Sequence, residues 1–439
     1  VGTIPCFIFS SAWKNECNLQ SVLDSKQKVK MSQTGRDQHQ RRVIRTLSIA
    51  QVLNGVGVAG TVAAGSLLVS SISNSETLAG LAQTTAVLGA AAMALPLATL
   101  TQRGGRRLSL TTGYTAGVIG AITAIIGGGN QILALMLVGT FLVGAASASG
   151  YQARFAAIDL ATPERLSKDL SFVVWGSTVG AVTGPNLMEP SGNFAELLGL
   201  PRLVGPYFIA AITLTISALI ILIFLKPDPY LTANVSSDGK TQKRHASIRS
   251  ALDHIRSIPN ALFGISVVAI GHLAMVSIMV MTPVHMAHVH ITLTIIGFVI
   301  SVHVLGMYAF SPIIGSLSDR LGRVRVIQIG LLILVLSAII SGLADPMDPY
   351  TLGVGLFLLG LGWSFTLIAG STFLSESVSV EMKPSSQGAS DLVMNLMGAG
   401  GGAAGGVIIG FLSYGWLCLF VTIPVALLGL TSFKIRSAV

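Results

Sequence analysis

The sequence predicts an all-α membrane protein with twelve transmembrane helices in two six-helix pseudo-repeat bundles. Three observations predict it. The 439-residue chain is 51% hydrophobic and only 10% charged, with a mean hydropathy of +0.74, whereas a soluble chain carries about 25% charged residues. Twelve mainly apolar runs are long enough to cross roughly 30 Å of hydrocarbon, for which a helix needs about 20 residues. With the N-terminus inside, 26 of the 27 Lys and Arg fall on the inner side and only Arg202 on the outer, the asymmetry that places both termini in the cytoplasm. So little charge excludes a disordered chain, a soluble enzyme and a nucleic-acid module. The net charge of +9 then marks orientation, not an acidic partner.

Residues 1–42 form a cytoplasmic tail in this reading. The apolar run from Cys6 to Ser10 is too short to span, no signal-peptide pattern follows it, and residues 1–30 are upstream reading frame or a weakly ordered tail before Met31. The first bundle, 43–225, holds spans at 45–71, 77–101, 108–128, 131–156, 170–190 and 204–225, each bounded by charge, Pro or Gly. Residues 226–258 are polar, with Pro227, Pro229, Gly239 and a basic cluster at Lys240, Lys243 and Arg244. They read as a cytoplasmic linker ending in an amphipathic turn. The second bundle, 259–433, holds spans at 259–284, 292–314, 325–343, 350–375, 387–410 and 414–433, the last two divided only by Ser413, Tyr414 and Gly415. A short cytoplasmic tail, 434–439, closes the chain. Cys6, Cys17 and Cys418 make neither a metal pattern nor a disulfide framework.

The halves repeat. Gly315-Ser-Leu-Ser-Asp319-Arg320-Leu-Gly322-Arg323 lies between spans 8 and 9, and Gln102-Arg103-Gly-Gly105-Arg106-Arg107 lies between spans 2 and 3; Gly105 and Gly322 are 217 positions apart, as are Asp159 and Glu376 at the inner ends of spans 4 and 10. The GxxxDRxGR stretch and the six-plus-six layout over residues 43–433 resemble the major facilitator superfamily. The resemblance implies a gating latch: Asp319 faces a helix N-terminus in the other half, and Arg320 and Arg323 partner Glu376. Gly105, Arg106 and Asp159 would form the first-half copy. There Gln102 replaces the acid, so closure is weaker or differently made.

Gly176, Gly180, Gly184 and Pro185 in span 5 make a small-residue stripe with a bend after it, similar to the span-5 pattern of antiporter-type exporters in that family. Packing alone would give the same spacing. The family places spans 5 and 11 between the halves, so these glycines and those of span 11 would let the bundles rock.

Spans 1, 4, 7 and 10 line the cavity of the resembled family, and at comparable depth they offer Asn54, Tyr151, His272 and Trp363; these, with Gln51 of span 1 and Arg154 in the inner third of span 4, are the substrate-binding candidates. Amide, phenol, imidazole and indole groups suit a small organic molecule with aromatic character. Arg154 either pairs with Asp159 or presents its charge to an anionic substrate. His272 and His303 lie near the midplane, where a titratable group is costly, and are coupling candidates; each is alternatively a neutral imidazole bonded to a neighbouring helix. Asp391, one turn into span 11, is either a helix-start charge or a third coupling candidate. Thr140 or a neighbour stands where proton exchangers of the family carry an Arg, and span 1 lacks their carboxylate. His285, His288 and His290 cluster in an outer loop without a carboxylate or cysteine, so no metal is expected, and no phosphate-binding loop is present.

The function expected is secondary active transport of a small organic molecule by alternating access, as proton-coupled export (an antiporter driving efflux). Uptake by symport or uniport is the alternative, and a non-transporting receptor or scaffold is the alternative of another class. The expected partners are the substrate, protons and the lipid bilayer; the expectation is a monomer in the plasma (inner) membrane, with no cofactor, no nucleic acid and no enzymatic reaction.

Overall fold

The structure, a computed structural model, describes residues 33–74, 78, 80–234, 256–287, 293–345 and 347–435. The tail 1–30, most of the linker, His288 and His290 lie outside the described residues.

Apolar runs without water must satisfy their backbone groups internally, and they do so as helices. In chain order these are α1 Gln33–Ser73, α2 Leu81–Gly129, α3 Leu133–Ala156, α4 Leu166–Asn186, α5 Met188–Leu197, α6 Gly205–Phe224, α7 Pro229–Ala233, α8 Pro259–Ala287, α9 Leu293–Tyr308, α10 Ser311–Leu321, α11 Arg323–Leu343, α12 Pro349–Ser377, α13 Lys383–Phe411 and α14 Tyr414–Ser432. Among the described residues, ten helical stretches are long and apolar enough to cross a bilayer. One of them, the 49-residue α2, turns back at Gly105 (φ 84°, ψ 175°) and supplies two of the predicted spans. The more polar α4 is the remaining one.

Several boundaries move. The fifth predicted span begins earlier, at Leu166, and ends at Asn186, where Leu187 starts the separate α5. The eighth is broken between Tyr308 and Ser311, with Pro312 in the first turn of α10. The eleventh starts at Lys383, so Asp391 lies two turns inside α13 and is not a helix-start charge.

The repeat extends to geometry. Gly322 (φ 90°) matches Gly105 in backbone conformation, and in both a side chain would be strained. Ile119, Ile122 and Ile126 on the second arm of α2 and Leu336, Ile339 and Leu343 on α11, again 217 apart, all face outward. Similar stripes on α6 and α14 complete the apolar surface turned to lipid.

Lipid supplies no hydrophobic force between helices, so close contact through small residues must hold each half together. The glycines of α4 do this against α1. A Cβ added at Gly180 would stand 2.5 Å from the Gly55 backbone, and one at Gly184 would meet Ala59 at 2.8 Å and the Gly60 nitrogen at 2.9 Å. In the second half Gly398, Gly401 and Gly405 of α13 meet α8 at His272, Ser277 and Met281. Both stripes therefore seat a helix on its neighbour within the same half, which corrects the expectation that they face across the molecule. The side of α4 that meets the other half is mixed: Gly315 of α10 packs on Ser167 and Ser171, while Leu166, Leu170 and Val174 join the apolar core of the second half.

Replacing Gly180 by Leu drives a side chain into the Gly55 backbone, and overpacking of this kind costs about 1–3 kcal/mol. The purified protein in detergent should unfold at a clearly lower temperature. An unchanged midpoint would mean that α1 and α4 do not touch along this stripe.

Candidate functional site

Five helices enclose a cavity of about 220 Å³ that brings most of the predicted substrate-binding residues together: Gln51 and Asn54 from α1, Tyr151 and Arg154 from α3, and Trp363 from α12, joined by Ser177 of α4 and Tyr308 of α9. Local packing explains their placement. Gly150 of α3 leaves room for the amides of Gln51 and Asn54, which any Cβ there would crowd. The Gln51 amide donates to Ser177 Oγ at 2.9 Å, and the Tyr308 and Trp363 rings meet edge to face at 5.7 Å. A second cavity of about 140 Å³ shares Val58, Ser147 and Tyr151 with the first and continues past Thr61 to Gln83 in the first turn of α2.

His272 is not on the cavity wall. It lies behind Trp363, whose indole N–H donates to His272 Nδ1 at 3.1 Å. His303 also stands apart: its Nδ1 is 2.8 Å from the Leu356 carbonyl, which can only accept, so the Nδ1–H donates and ties α9 to α12. Neither histidine takes the position expected of a coupling group.

The charge on the wall is that of Arg154, whose partner lies behind it. Arg154 Nη2 donates to Asp391 Oδ1 at 2.6 Å, with both side chains almost wholly buried, and its guanidinium lies 4.7 Å from the Phe155 ring centre and 5.8 Å from that of Tyr151. The expected Arg154–Asp159 pairing is therefore replaced, because Asp159 is taken by Arg106. Four buried polar atoms here lack a protein partner: Gln51 Oε1, Asn54 Oδ1, Arg154 Nε and Asp391 Oδ2. Buried polar atoms are rarely left so, and three of these belong to side chains that line the cavity.

Toward the end where α1 enters and α14 leaves, polar contacts join the halves. Asp319 accepts from the backbone N–H groups of Ser167 (3.0 Å) and Lys168 (2.8 Å) at the start of α4. Arg323 pairs with Asp319 and Glu376, each at 2.9 Å, and donates to the Pro163 carbonyl at 2.8 Å. In the first-half copy, Arg106 binds Asp159 through Nε and Nη2 (2.8 and 3.1 Å) and reaches across through Nη2 to Gln387 Oε1 at 2.6 Å. Burial is the larger influence on the Asp159 carboxyl and raises it above the usual carboxylate range, against the pull of Arg106. Gln102 donates to Ser385 Oγ at 2.5 Å, 217 positions from the Asp319–Lys168 contact at each end. A neutral hydrogen bond thus stands where the other copy has a carboxylate at a helix N-terminus. Arg320 is exposed and, among the described residues, makes no hydrogen bond or ion pair, so it does not join this layer as expected.

Sequence reasoning missed Tyr308, Ser177, and Gln387 and Asn395, which continue the row of the coupling candidate Asp391. That row recurs every fourth residue along one face of α13 and was visible as a polar stripe. His285, the described member of the histidine cluster, stacks on Tyr414 at 4.4 Å.

Comparison with known proteins agrees with the architecture. The family model of the Major Facilitator Superfamily matches residues 47–289 and 264–438. An uncharacterized MFS-type transporter of Bacillus subtilis, YdeG, is 33% identical over 397 residues, covering 90% of this chain and 91% of the relative. The riboflavin transporter RfnT of Brucella anthropi is 27% identical over 361 residues, covering 81% and 85%. Among solved structures, the E. coli fucose:proton symporter FucP superposes with a TM-score of 0.68 at 16% identity, covering 90% of this chain and 99% of that one.

Removing one partner of a buried ion pair costs about 3–5 kcal/mol, because the other charge is left unpaired, whereas removing both is far milder. Arg154→Met should therefore lower the unfolding temperature strongly, and adding Asp391→Leu should restore much of it. Additive losses in the double variant would show that the two side chains do not interact.

Proposed function

The chain belongs to the Major Facilitator Superfamily, and on that premise we propose that it is a proton-coupled secondary transporter of a small heteroaromatic solute, moved by alternating access and exported in exchange for protons. The observation that carries the solute class is the cavity wall. Trp363, Tyr308 and Tyr151 offer flat apolar faces, while the unpartnered oxygens of Gln51 and Asn54 and the unpartnered Nε–H of Arg154 ask for a ligand edge with both donors and acceptors. A nitrogen heterocycle with adjoining N–H and C=O groups has such an edge. The two contiguous cavities together reach the lower end of the range for ligand sites, about 300 Å³, which fits a ring system with a short polar substituent. The riboflavin transporter among the relatives supports the same class.

Asp391 is the coupling residue in this reading, in place of His272 and His303. Its carboxylate bridges the halves through the cavity-lining Arg154, with one oxygen free to take a proton. Protonation would release Arg154, remove a tie between α3 and α13 and let the latch end part. Export is favoured by the span-5 pattern of Gly176, Gly180, Gly184 and Pro185, and the positive-inside bias places the latch end in the cytoplasm. That side assignment makes the cavity, which runs toward Gln83, outward-facing as described.

Reconstituted vesicles with an imposed pH gradient test this reading, using a panel of heteroaromatic compounds that includes riboflavin. Solute should leave the latch side against its gradient as protons enter. Trp363→Ala should raise KM about tenfold or more, the loss of a buried aromatic contact being worth over 1 kcal/mol, and Asp391→Asn should keep exchange of labelled solute while losing pH-driven accumulation. Accumulation in the same direction as the proton flow would replace export by uptake. Full pH-driven transport by Asp391→Asn would remove Asp391 from the coupling role.

A further inference from the structure

Asp319 does two things in the second half: it reaches the N-terminus of α4 across the interface, and it pairs with Arg323 four residues later at 2.9 Å. Its first-half counterpart, Gln102, can do only the first of these, and it does so by binding Ser385. Yet a carboxylate is present at that loop. It comes from Asp228, in the segment that follows α6.

Asp228 Oδ2 accepts from the Arg107 backbone N–H at 2.7 Å, at the turn of α2, and Oδ1 accepts from the N–H groups of Tyr230 (3.0 Å) and Leu231 (3.1 Å) at the start of α7. The carboxylate fills the space over Gly105 that a Cβ would need, whereas over Gly322 a Cβ would meet nothing within 4 Å. Arg107 adds a second tie by donating to the Leu222 carbonyl at 2.8 Å. The result is that the buried Tyr230 ring lies 5.9 Å from the Arg106 guanidinium, the group that reaches Gln387 in the other half. The second copy has Asp319 beside its arginine, and the first has the start of the interhalf segment in that place.

We propose that Asp228 and Tyr230 are positioning residues of the transport cycle: the start of the segment joining the halves holds Arg106 against Gln387 and so sets how readily the latch end opens. Neither residue touches the cavity or the coupling pair. The proposal rests on alternating access, but not on any particular solute or coupling ion.

Ser390, wholly buried on α13 next to Asp391, reports the opening. With Cys6, Cys17 and Cys418 replaced by Ala, Ser390→Cys is labelled by a maleimide in the purified full-length protein. Asp228→Ala should label about tenfold faster, as expected for loss of hydrogen bonds to a charged group, and Asp228→Glu, which keeps the charge, should stay near the parent rate. Tyr230→Leu leaves the Asp228 turn intact and should also label faster, so it decides the matter if Asp228→Ala does not fold. A parent that labels measurably, with unchanged rates in Asp228→Ala and Tyr230→Leu, overturns the proposal and leaves the transporter reading standing. No labelling in any variant removes the alternation on which both depend.

Discussion

A charge or unpaired polar group inside a bilayer-spanning bundle finds no partner in lipid, so it must find one in another helix, in water or in a ligand. Arg154 and Asp391 answer this requirement in each other, and they come from different halves of the chain. Neither half can satisfy its own member of the pair alone. The interface near the latch is therefore conditional: it closes where the two halves complete each other, and it opens only when water, a proton or a solute can take over the vacated bonds.

The interior of each half is built on a different principle. Glycine against backbone along α1–α4, and glycine against the side chains of His272, Ser277 and Met281 along α8–α13, give short-range dispersion contacts. Such seams have no alternative partner to exchange with, so they stay closed through the cycle. The contrast is between bonds that water or a ligand can replace, such as Arg154–Asp391 and Arg106–Gln387 between the halves, and the contacts along α1–α4 that neither can replace.

Much of this was legible in the sequence. Composition and the cation asymmetry carried the fold, because the bilayer forces both. The 217-residue shift located the paired turns and the acids at the inner ends of spans 4 and 10, and the family resemblance supplied the Arg323–Glu376 pairing, since a repeated backbone turn needs its glycine and its charges in the same places. Five of the six substrate-binding candidates meet in one cavity because depth along a straight helix follows from counting residues. Facing does not, which is why His272 was placed on the wall when it stands one ring behind it. Arg154 was offered Asp159, a neighbour in sequence, because its partner 237 residues away leaves no local trace. Asp228 was hidden for a related reason: a lone carboxylate between two prolines reads as linker until the turn it covers is seen.

The two copies of the latch are not equal, and the inequality has a direction. Asp319 holds two backbone N–H groups of the opposite half with a charged acceptor, while Gln102 holds Ser385 through one neutral hydrogen bond. Hydrogen bonds to an ionised group are roughly twice as strong as neutral ones, so the α10–α4 seam resists separation more than the α2–α13 seam does. Arg106 strengthens the weaker seam through Gln387, but that bond depends on a guanidinium held within its own half by Asp159 and flanked by Tyr230. Opening at the latch end is then easiest along α2 and α13. That is the seam beside Arg154 and Asp391, so Gln102, standing where the second copy has Asp319, leaves that buried ion pair next to the contacts that yield first.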